Sequence, residues 1–357
     1  MKITDIPGMG DYGVFIDGVD FNTLDEETWM RIGDLHMSKL VTIIRDCNLS
    51  WENQIDWIEK FGASRNNFSY NMLTKYDEKD WSLLVKKVLQ GDTSIDEQDR
   101  KDIKTAYGVS ELRKDGRHVA RVSGKKDKDG NPYGLFAEGE LTWHSNESSQ
   151  LTFTPGVSLL GAEGVVGSST GFVTTANYYQ DISEEFRSEL EEMIIVHKFQ
   201  PGVMNPGLRE EQDSVVRNNM CPFDNSEVPM VIKSPDGIKG LHYPVNTAWK
   251  IKGLSKEESD KIFKRINDEL FTEKYVYDHW YQNNGDFLLF DNSITLHRRL
   301  GNTDNRLCYR IQHDYSNLQE TPWQPYFQKE FQDKYVEDIT NIVDKMGYKD
   351  FKLPKVA

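Results

Sequence analysis

Two histidines far apart in the chain lie in segments that carry further side chains able to bind a metal. His144 is followed by Asn146 and Glu147, so an oxygen donor stands two residues after the imidazole. His297 comes after residues 287–290, a short apolar run between turn residues that is typical of a buried strand. Either histidine alone is more typical of a structural residue. Together they have the order of a site that binds a metal on one face through two imidazoles and one oxygen donor.

Two arginines after His297 could hold an anion beside such a metal. Arg306 and Arg310 lie four residues apart in a predicted strand at residues 306–311, with Cys308 between them. Because side chains alternate along a strand, both arginines should project from one face. Arginines near a strand edge usually face solvent. If this face instead lines the interior of a barrel, the two guanidinium groups need anionic partners.

These motifs resemble those of the taurine dioxygenase-like (TauD/TfdA) family of Fe(II)- and 2-oxoglutarate-dependent oxygenases. The family's Trp-His-x-Asp motif is similar to residues 143–146, WHSN, and its WDN-x-x-x-x-H segment is similar to residues 290–297, FDNSITLH. Its arginine pair is similar to residues 306–310, RLCYR, after a comparable gap. The opening of the chain, with GVFIDGVDF, LVTIIRD and FGA, is similar as well. The resemblance covers most of the chain except residues 66–138.

The resemblance implies a mixed α/β chain with a mostly β core, a double-stranded β-helix (jelly-roll or cupin-like) with flanking helices. It implies Fe(II) as the metal, 2-oxoglutarate as co-substrate, and O₂. By position, His144, Asn146 and His297 would be the metal ligands. Arg306 would bind the distal carboxylate of 2-oxoglutarate, for which a planar two-pronged donor is well suited. His144, His297 and Arg306 are therefore the candidate catalytic residues.

Two further residues take their roles from the resemblance. Thr170, at the end of the Gly/Ser-rich segment 164–170, is the closest match to a hydroxyl that helps to hold 2-oxoglutarate. This segment is predicted to be a loop between two core strands. Arg310 occupies the position that holds the anionic end of the substrate in taurine-specific relatives, which suggests an acidic or zwitterionic substrate.

The sequence departs from the family at the third metal ligand, where the family has an acid and this chain has Asn146. An amide oxygen can bind a metal but brings no charge. Three outcomes stay open: Asn146 binds weakly, a bulge lets Glu147 replace it, or the position takes an exogenous anion, as in related halogenases. Strand alternation favours Asn146, with Glu147 pointing away.

Composition limits the class of protein. The chain has 357 residues, 37% apolar and 28% charged, which is typical of a folded globular protein. A formal net charge of −15 argues against broad nucleic-acid or anionic-membrane binding. Its three scattered cysteines form no disulfide pattern, and we expect a reducing, cytoplasmic location. We find no signal peptide and no apolar run long enough to span a membrane.

The pattern of elements predicts one domain over residues 1–357, with a divergent insertion or lid at about residues 66–138. A capping-box sequence at residues 23–26 predicts the start of a helix, and residues 183–197 are predicted to form another helix. His242 is predicted to be a packed surface residue, with a place in the pocket as the alternative.

The sequence therefore predicts an Fe(II)/2-oxoglutarate-dependent dioxygenase that hydroxylates a small polar or anionic molecule, with homo-oligomerisation possible. Two alternatives stay open. One is a halogenase-like enzyme with an anion position at Asn146. The other is a non-catalytic binding or structural protein that kept the fold. The primary substrate does not follow from the sequence.

Overall fold

Two β-sheets that face each other form the centre of the molecule. The computed structural model describes residues 1–64, 68–78, 80–130, 132–137, 139–148, 153–198, 200, 203 and 225–346. Its strands, in chain order, are β1 (Lys2–Asp5), β2 (Val14–Asp17), β3 (Val41–Ile44), β4 (Ser110–Leu112), β5 (His118–Ser123), β6 (Leu141–His144), β7 (Gly156–Glu163), β8 (Ser168–Thr174), β9 (Ile194–His197), β10 (Glu227–Pro229), β11 (Val231–Lys233), β12 (Lys239–Leu241), β13 (Ala248–Ile251), β14 (Val276–Trp280), β15 (Phe287–Asp291), β16 (Thr295–Gly301) and β17 (Leu307–His313).

Helices flank these sheets. Within the described residues they are α1 (Glu26–Lys39), α2 (Trp51–Ile58), α3 (Phe68–Lys75), α4 (Trp81–Leu89), α5 (Glu97–Val109), α6 (Thr175–Asp181), α7 (Glu184–Glu191), α8 (Lys256–Leu270) and α9 (Lys329–Met346). The fold is thus mixed α/β with a large sheet-rich core. No described helix is long and apolar enough to cross a membrane.

The larger sheet has eight strands in the order β1-β2-β3-β15-β7-β17-β5-β4, and the smaller has four in the order β14-β8-β16-β6. Every residue of β15 is buried, because the strand pairs on both sides, with β3 and with β7. This outcome confirms the strand predicted from the apolar run at residues 287–290. Phe290 of β15 contacts Phe172 of β8 across the space between the sheets, with ring centroids 5.2 Å apart.

Helices α1 and α2 cover the outer face of the larger sheet. Trp29 of α1 is fully buried and stacks on Phe61 at a centroid distance of 4.6 Å. Its indole nitrogen donates to the carbonyl oxygen of Trp57 at 2.7 Å. Burial of such aromatic side chains, at about 25 cal/mol per Å² of apolar surface, holds the helices on the sheet.

Residues 66–138, the expected insertion, contain helices α3 to α5 and strands β4 and β5. These helices share a separate apolar cluster that includes Trp81, Leu84 and Ile103. Strands β4 and β5 extend the larger sheet beyond β17. The segment therefore brings its own small core to the edge of the sheet that carries the arginine pair.

Three predictions about local structure are wrong in detail. The helix expected over residues 183–197 ends at Glu191, and residues 194–197 form β9, because the β-branched run there pairs with β10 and β13. Helix α1 is capped by Asp25, whose carboxylate accepts from the amide of Thr28, so the cap lies two residues after the predicted position. The predicted loop 164–170 is shorter, since β8 begins at Ser168.

Candidate active site

His144 and His297 lie opposite each other on neighbouring strands of the smaller sheet. They are register partners between β6 and β16, and their ring centroids are 4.0 Å apart. Both side chains are buried. The Nδ1 atom of His144 lies 2.7 Å from the carbonyl oxygen of Thr142, so this nitrogen carries the proton and Nε2 keeps its lone pair. The fold thus joins two histidines that are 153 positions apart in the chain.

Burial keeps both imidazoles neutral, which is the form that binds metals. It lowers the pKa of His144 to about 4, with the carbonyl of Thr142 acting against the shift. It lowers the pKa of His297 well below its usual value, and His144 and Arg310 add to this effect. The Nδ1 atom of His297 is buried without a hydrogen-bond partner. Two adjacent neutral imidazoles therefore fit a divalent metal ion.

At the third ligand position, the side chain is the amide of Asn146, which already has a hydrogen-bond partner. The Oδ1 atom of Asn146 accepts a hydrogen bond from Nη1 of Arg310 at 3.3 Å, and its buried Nδ2 has no partner. Strand β6 ends at His144, so strand alternation does not govern residues 145–147. Glu147 has a φ of 55° and is partly exposed. In the described part of the chain, no third acid, cysteine or histidine groups with the two histidines as a metal site.

The loop that carries Asn146 is fixed by Asn292 from the other motif. Oδ1 of Asn292 accepts from the amide of Asn146 at 2.8 Å, and Nδ2 donates to the carbonyl oxygens of Asn146 and Thr154, each at 2.9 Å. Asn292 is fully buried. The segment 290–297 therefore supplies His297 and also positions the residue beside His144.

Replacement of Asn292 by alanine should lower the free energy of unfolding by about 2–4 kcal/mol, because buried backbone groups of Asn146 and Thr154 lose their partners. Urea denaturation would measure the change. Asn283, whose amide makes an exposed hydrogen bond to Asp46, is the matched control, and its alanine variant should change stability by less than ~0.5 kcal/mol. Equal effects of the two substitutions would contradict the role given to Asn292.

Arg306 lies in the interior with a hydroxyl pair beside it. Its side chain is buried, and Nη2 donates to Oγ1 of Thr170 at 3.0 Å. Thr170 also shares a hydrogen bond of 2.9 Å with the hydroxyl of Tyr281. The Nε atom of Arg306 is buried without a partner. Thr170 belongs to β8, whereas the sequence had predicted a loop at this position. The group can bind a carboxylate through the guanidinium and the hydroxyls.

A cavity between the sheets joins the two parts of the site. His144, His297, Thr170, Arg306 and Arg310 all line it, together with Arg299. Its apolar wall includes Val122, Phe136, Leu159 and Phe290. The residues predicted to bind the metal, the co-substrate and the substrate thus meet in one place, apart from Asn146, which contacts the cavity residue Arg310.

The arginines give this cavity a positive charge. Burial lowers the pKa of Arg299 to about 9, and the neighbouring Arg306 adds to the shift. Burial also lowers the pKa of Arg310, while Glu147 acts in the opposite direction. Arg298 also lines the cavity, but its charge is balanced because it donates to both carboxylate oxygens of Asp278. A cavity with these groups favours anionic ligands.

Sequence reasoning missed Tyr281 and Asn292, and it named Arg299 only as an alternative to Arg306. The motif FDNSITLH contains Asn292, but nothing in the sequence marked this residue as a partner of the site. The prediction that His242 is a packed surface residue is wrong, because its side chain is fully buried. Its ring stacks on Phe153 at 4.5 Å and lies near the carbonyl oxygens of Ser293 and Ser148.

Comparison with known proteins finds relatives of this chain in sequence and in fold. The alpha-ketoglutarate-dependent dioxygenase cnsP of Penicillium expansum is 28% identical over 161 residues, which are 44% of this chain and 42% of the fungal protein. The match therefore spans less than half the length of that relative. The fold is similar to AAD-2 in complex with Mn(II) and N-oxalylglycine, with a TM-score of 0.61 and 18% identity, covering 87% of this chain and 96% of that one. A taurine dioxygenase from Burkholderia xenovorans has a TM-score of 0.56 and 16% identity, covering 92% of each chain.

The family model described as Taurine catabolism dioxygenase TauD, TfdA family matches residues 3–312. Since this match spans most of the chain, the protein belongs to the TauD/TfdA family of dioxygenases.

Proposed function

We propose that the protein is an Fe(II)/2-oxoglutarate-dependent dioxygenase that hydroxylates a small polar or anionic molecule. One observation carries the proposal: two neutral imidazoles, His144 and His297, share a cavity with the buried Arg306–Thr170 pair. In the overall reaction, substrate, 2-oxoglutarate and O₂ give hydroxylated substrate, succinate and CO₂. One oxygen atom enters the product and the other enters succinate.

His144 and His297 would hold the metal, and bound Fe(II) would supply the activation of O₂. The N–H at Nδ1 of His144 donates to the carbonyl oxygen of Thr142, and this hydrogen bond orients the ring. Arg306 and Thr170 would hold the distal carboxylate of 2-oxoglutarate, and Arg310 would face an anionic group of the substrate. The apolar wall of Leu159 and Phe290 would exclude water from the reacting atoms.

The proposal is tested by anaerobic addition of Fe(II) and 2-oxoglutarate to the purified protein. We expect a visible metal-to-2-oxoglutarate charge-transfer band, and succinate after O₂ is admitted. A protein that binds 2-oxoglutarate but neither binds Fe(II) nor forms succinate would instead be the non-catalytic binding protein.

Replacement of Asn146 by aspartate should tighten Fe(II) binding, since it adds the carboxylate that the site lacks. The gain in affinity should be about tenfold or more, because interactions of charged groups are worth roughly 1.5–3 kcal/mol. Pairing of the new carboxylate with Arg310 would offset part of this gain. Anaerobic Fe(II) titration measures it.

Glu147→Gln is the matched control for this change and should leave Fe(II) affinity unaltered, because Glu147 does not form a three-residue metal-binding group with the two histidines. If Glu147→Gln abolished Fe(II) binding and Asn146→Ala did not, Glu147 would be the third ligand and the assignment of Asn146 would be wrong.

A second candidate function is halogenation, in which an anion occupies the third position. The observation that favours it is the buried, unpartnered Nδ2 of Asn146 beside Arg310, a pair of donors suited to an anion. Chloride should then shift the charge-transfer band of the parent protein and have no effect on Asn146→Asp. An unchanged band in the parent would exclude this candidate.

The proposed core is a double-stranded β-helix, which the two facing sheets support. A cytoplasmic location remains our proposal, supported by two buried thiols outside any disulfide, Cys47 and Cys308.

A further inference from the structure

A third arginine shares the face of β16 that carries His297. Arg299 follows His297 by two residues, so both side chains leave the strand on the same side. Arg298, between them, is directed to Asp278 and Trp143. Arg299 is buried and lines the cavity. It is therefore part of the cavity wall and not a surface charge.

The position of Arg299 brings it close to the group around Arg306. In the pairing of β16 with β8, Arg299 lies directly opposite Thr170. Side chains of directly opposed residues lie on one face of a sheet, with Cβ atoms about 4.5–5.5 Å apart. Thr170 accepts the hydrogen bond of Arg306, which lies just before β17, so the residue opposite Arg299 is also the partner of Arg306.

We propose that Arg299 and Arg306 bind one carboxylate group between them at this end of the cavity. The carboxylate comes from 2-oxoglutarate or from the primary substrate. The inference rests on the proposed function and adds a second cation to the co-substrate end of that site.

The charges of the cavity support this assignment. Nε and Nη2 of Arg299 donate to the carbonyl oxygen of Gly139 at 3.2 and 2.6 Å, which holds the guanidinium group at the cavity wall. Among the described residues that line the cavity, none is acidic. The guanidinium groups of Arg299 and Arg306 share the cavity wall and repel each other. A carboxylate between them would remove this repulsion and gain charge-assisted hydrogen bonds.

The experiment compares 2-oxoglutarate with 2-oxopentanoate, which has the same chain length but a methyl group in place of the distal carboxylate. Dissociation constants are measured anaerobically on the Mn(II)-loaded protein, for the parent and for Arg299→Gln, Arg299→Lys and the control Arg298→Gln. Acetate binding to the 2-oxoglutarate complex is measured in parallel by thermal shift. Binding of 2-oxopentanoate reports whether each variant keeps a folded site.

We expect Arg299→Gln to reduce the preference for 2-oxoglutarate over 2-oxopentanoate by about tenfold to a hundredfold, with 2-oxopentanoate binding unchanged. Arg299→Lys should keep part of the preference, and Arg298→Gln should keep all of it. If the preference survives in Arg299→Gln while acetate binding is lost, the carboxylate belongs to the primary substrate, and the proposal stands.

Two results would overturn the proposal. Unchanged preference together with unchanged acetate binding in Arg299→Gln would leave Arg299 with a structural role in the cavity wall, where it binds Gly139. A parent protein that binds 2-oxoglutarate no better than 2-oxopentanoate would overturn the proposed function, and the two-arginine site with it. Should Arg299→Gln fail to fold, the same comparison on Arg299→Lys decides, because a single ammonium cannot replace a two-pronged contact without loss of preference.

Discussion

Replacement of Arg306 by leucine should weaken 2-oxoglutarate binding by about 30-fold to several-thousand-fold, the equivalent of ~2–5 kcal/mol for truncating one partner of a buried charge pair. The reason is geometric. Arg306 is buried, it already donates to Thr170, and its Nε has no partner, so a carboxylate there would meet a preformed donor set. Anaerobic titration of the Mn(II)-loaded protein with 2-oxoglutarate measures the loss.

Leucine is close in volume to the aliphatic part of arginine, and Tyr281 remains as a partner for the Thr170 hydroxyl. The variant should therefore keep its fold. Arg306→Lys retains the charge but not the planar fork and should lie between parent and Arg306→Leu. Unchanged binding in Arg306→Leu would transfer the role to Arg310 or to Arg299.

Replacement of His297 by alanine should remove tight Fe(II) binding. Loss of an outer partner of a metal ligand typically costs about 10–100-fold in affinity, and loss of a ligand itself should exceed this. The loss of Fe(II) affinity should be especially large here. The amide of Asn146 brings no charge, and His144 would remain as the single imidazole ligand. Fe(II) titration under anaerobic conditions is the measurement.

His279 provides the matched control, since it is a buried histidine of the same sheet whose Nε2 is bonded to Asp286 at 2.8 Å. His279→Gln should keep Fe(II) affinity within about twofold of the parent, a change of less than ~0.5 kcal/mol. If His297→Ala bound Fe(II) as tightly as the parent, His297 would have no place in the metal site.

Together these two experiments separate the parts of the site. We expect Fe(II) affinity to depend on His144, His297 and residue 146, and selectivity for the distal carboxylate to depend on Arg306 and its neighbours. Loss of Fe(II) binding without loss of 2-oxoglutarate binding would show that recognition of the co-substrate does not depend on the metal.

The sequence by itself determined which side chains could do chemistry and much of the local structure. The apolar run before Asp291 formed a buried strand as its residue types predict, because this signal acts over a few neighbouring residues. The resemblance of the motifs to those of the TauD/TfdA family implied a shared site for His144, His297, Arg306 and Arg310, and these four residues line one cavity.

Only the tertiary structure decided what each of these groups contacts. Asn146 accepts a hydrogen bond from Arg310, 164 positions away, and Thr170 receives one from Arg306, 136 positions away. Arg299 stands opposite Thr170 through the register of β16 with β8. Such partners depend on strand register, on where a strand ends and on the turn that follows it. A local pattern of residue types carries no information about these features. Which charged groups line the cavity, and what they contact, therefore depends on how the sheets pair and pack.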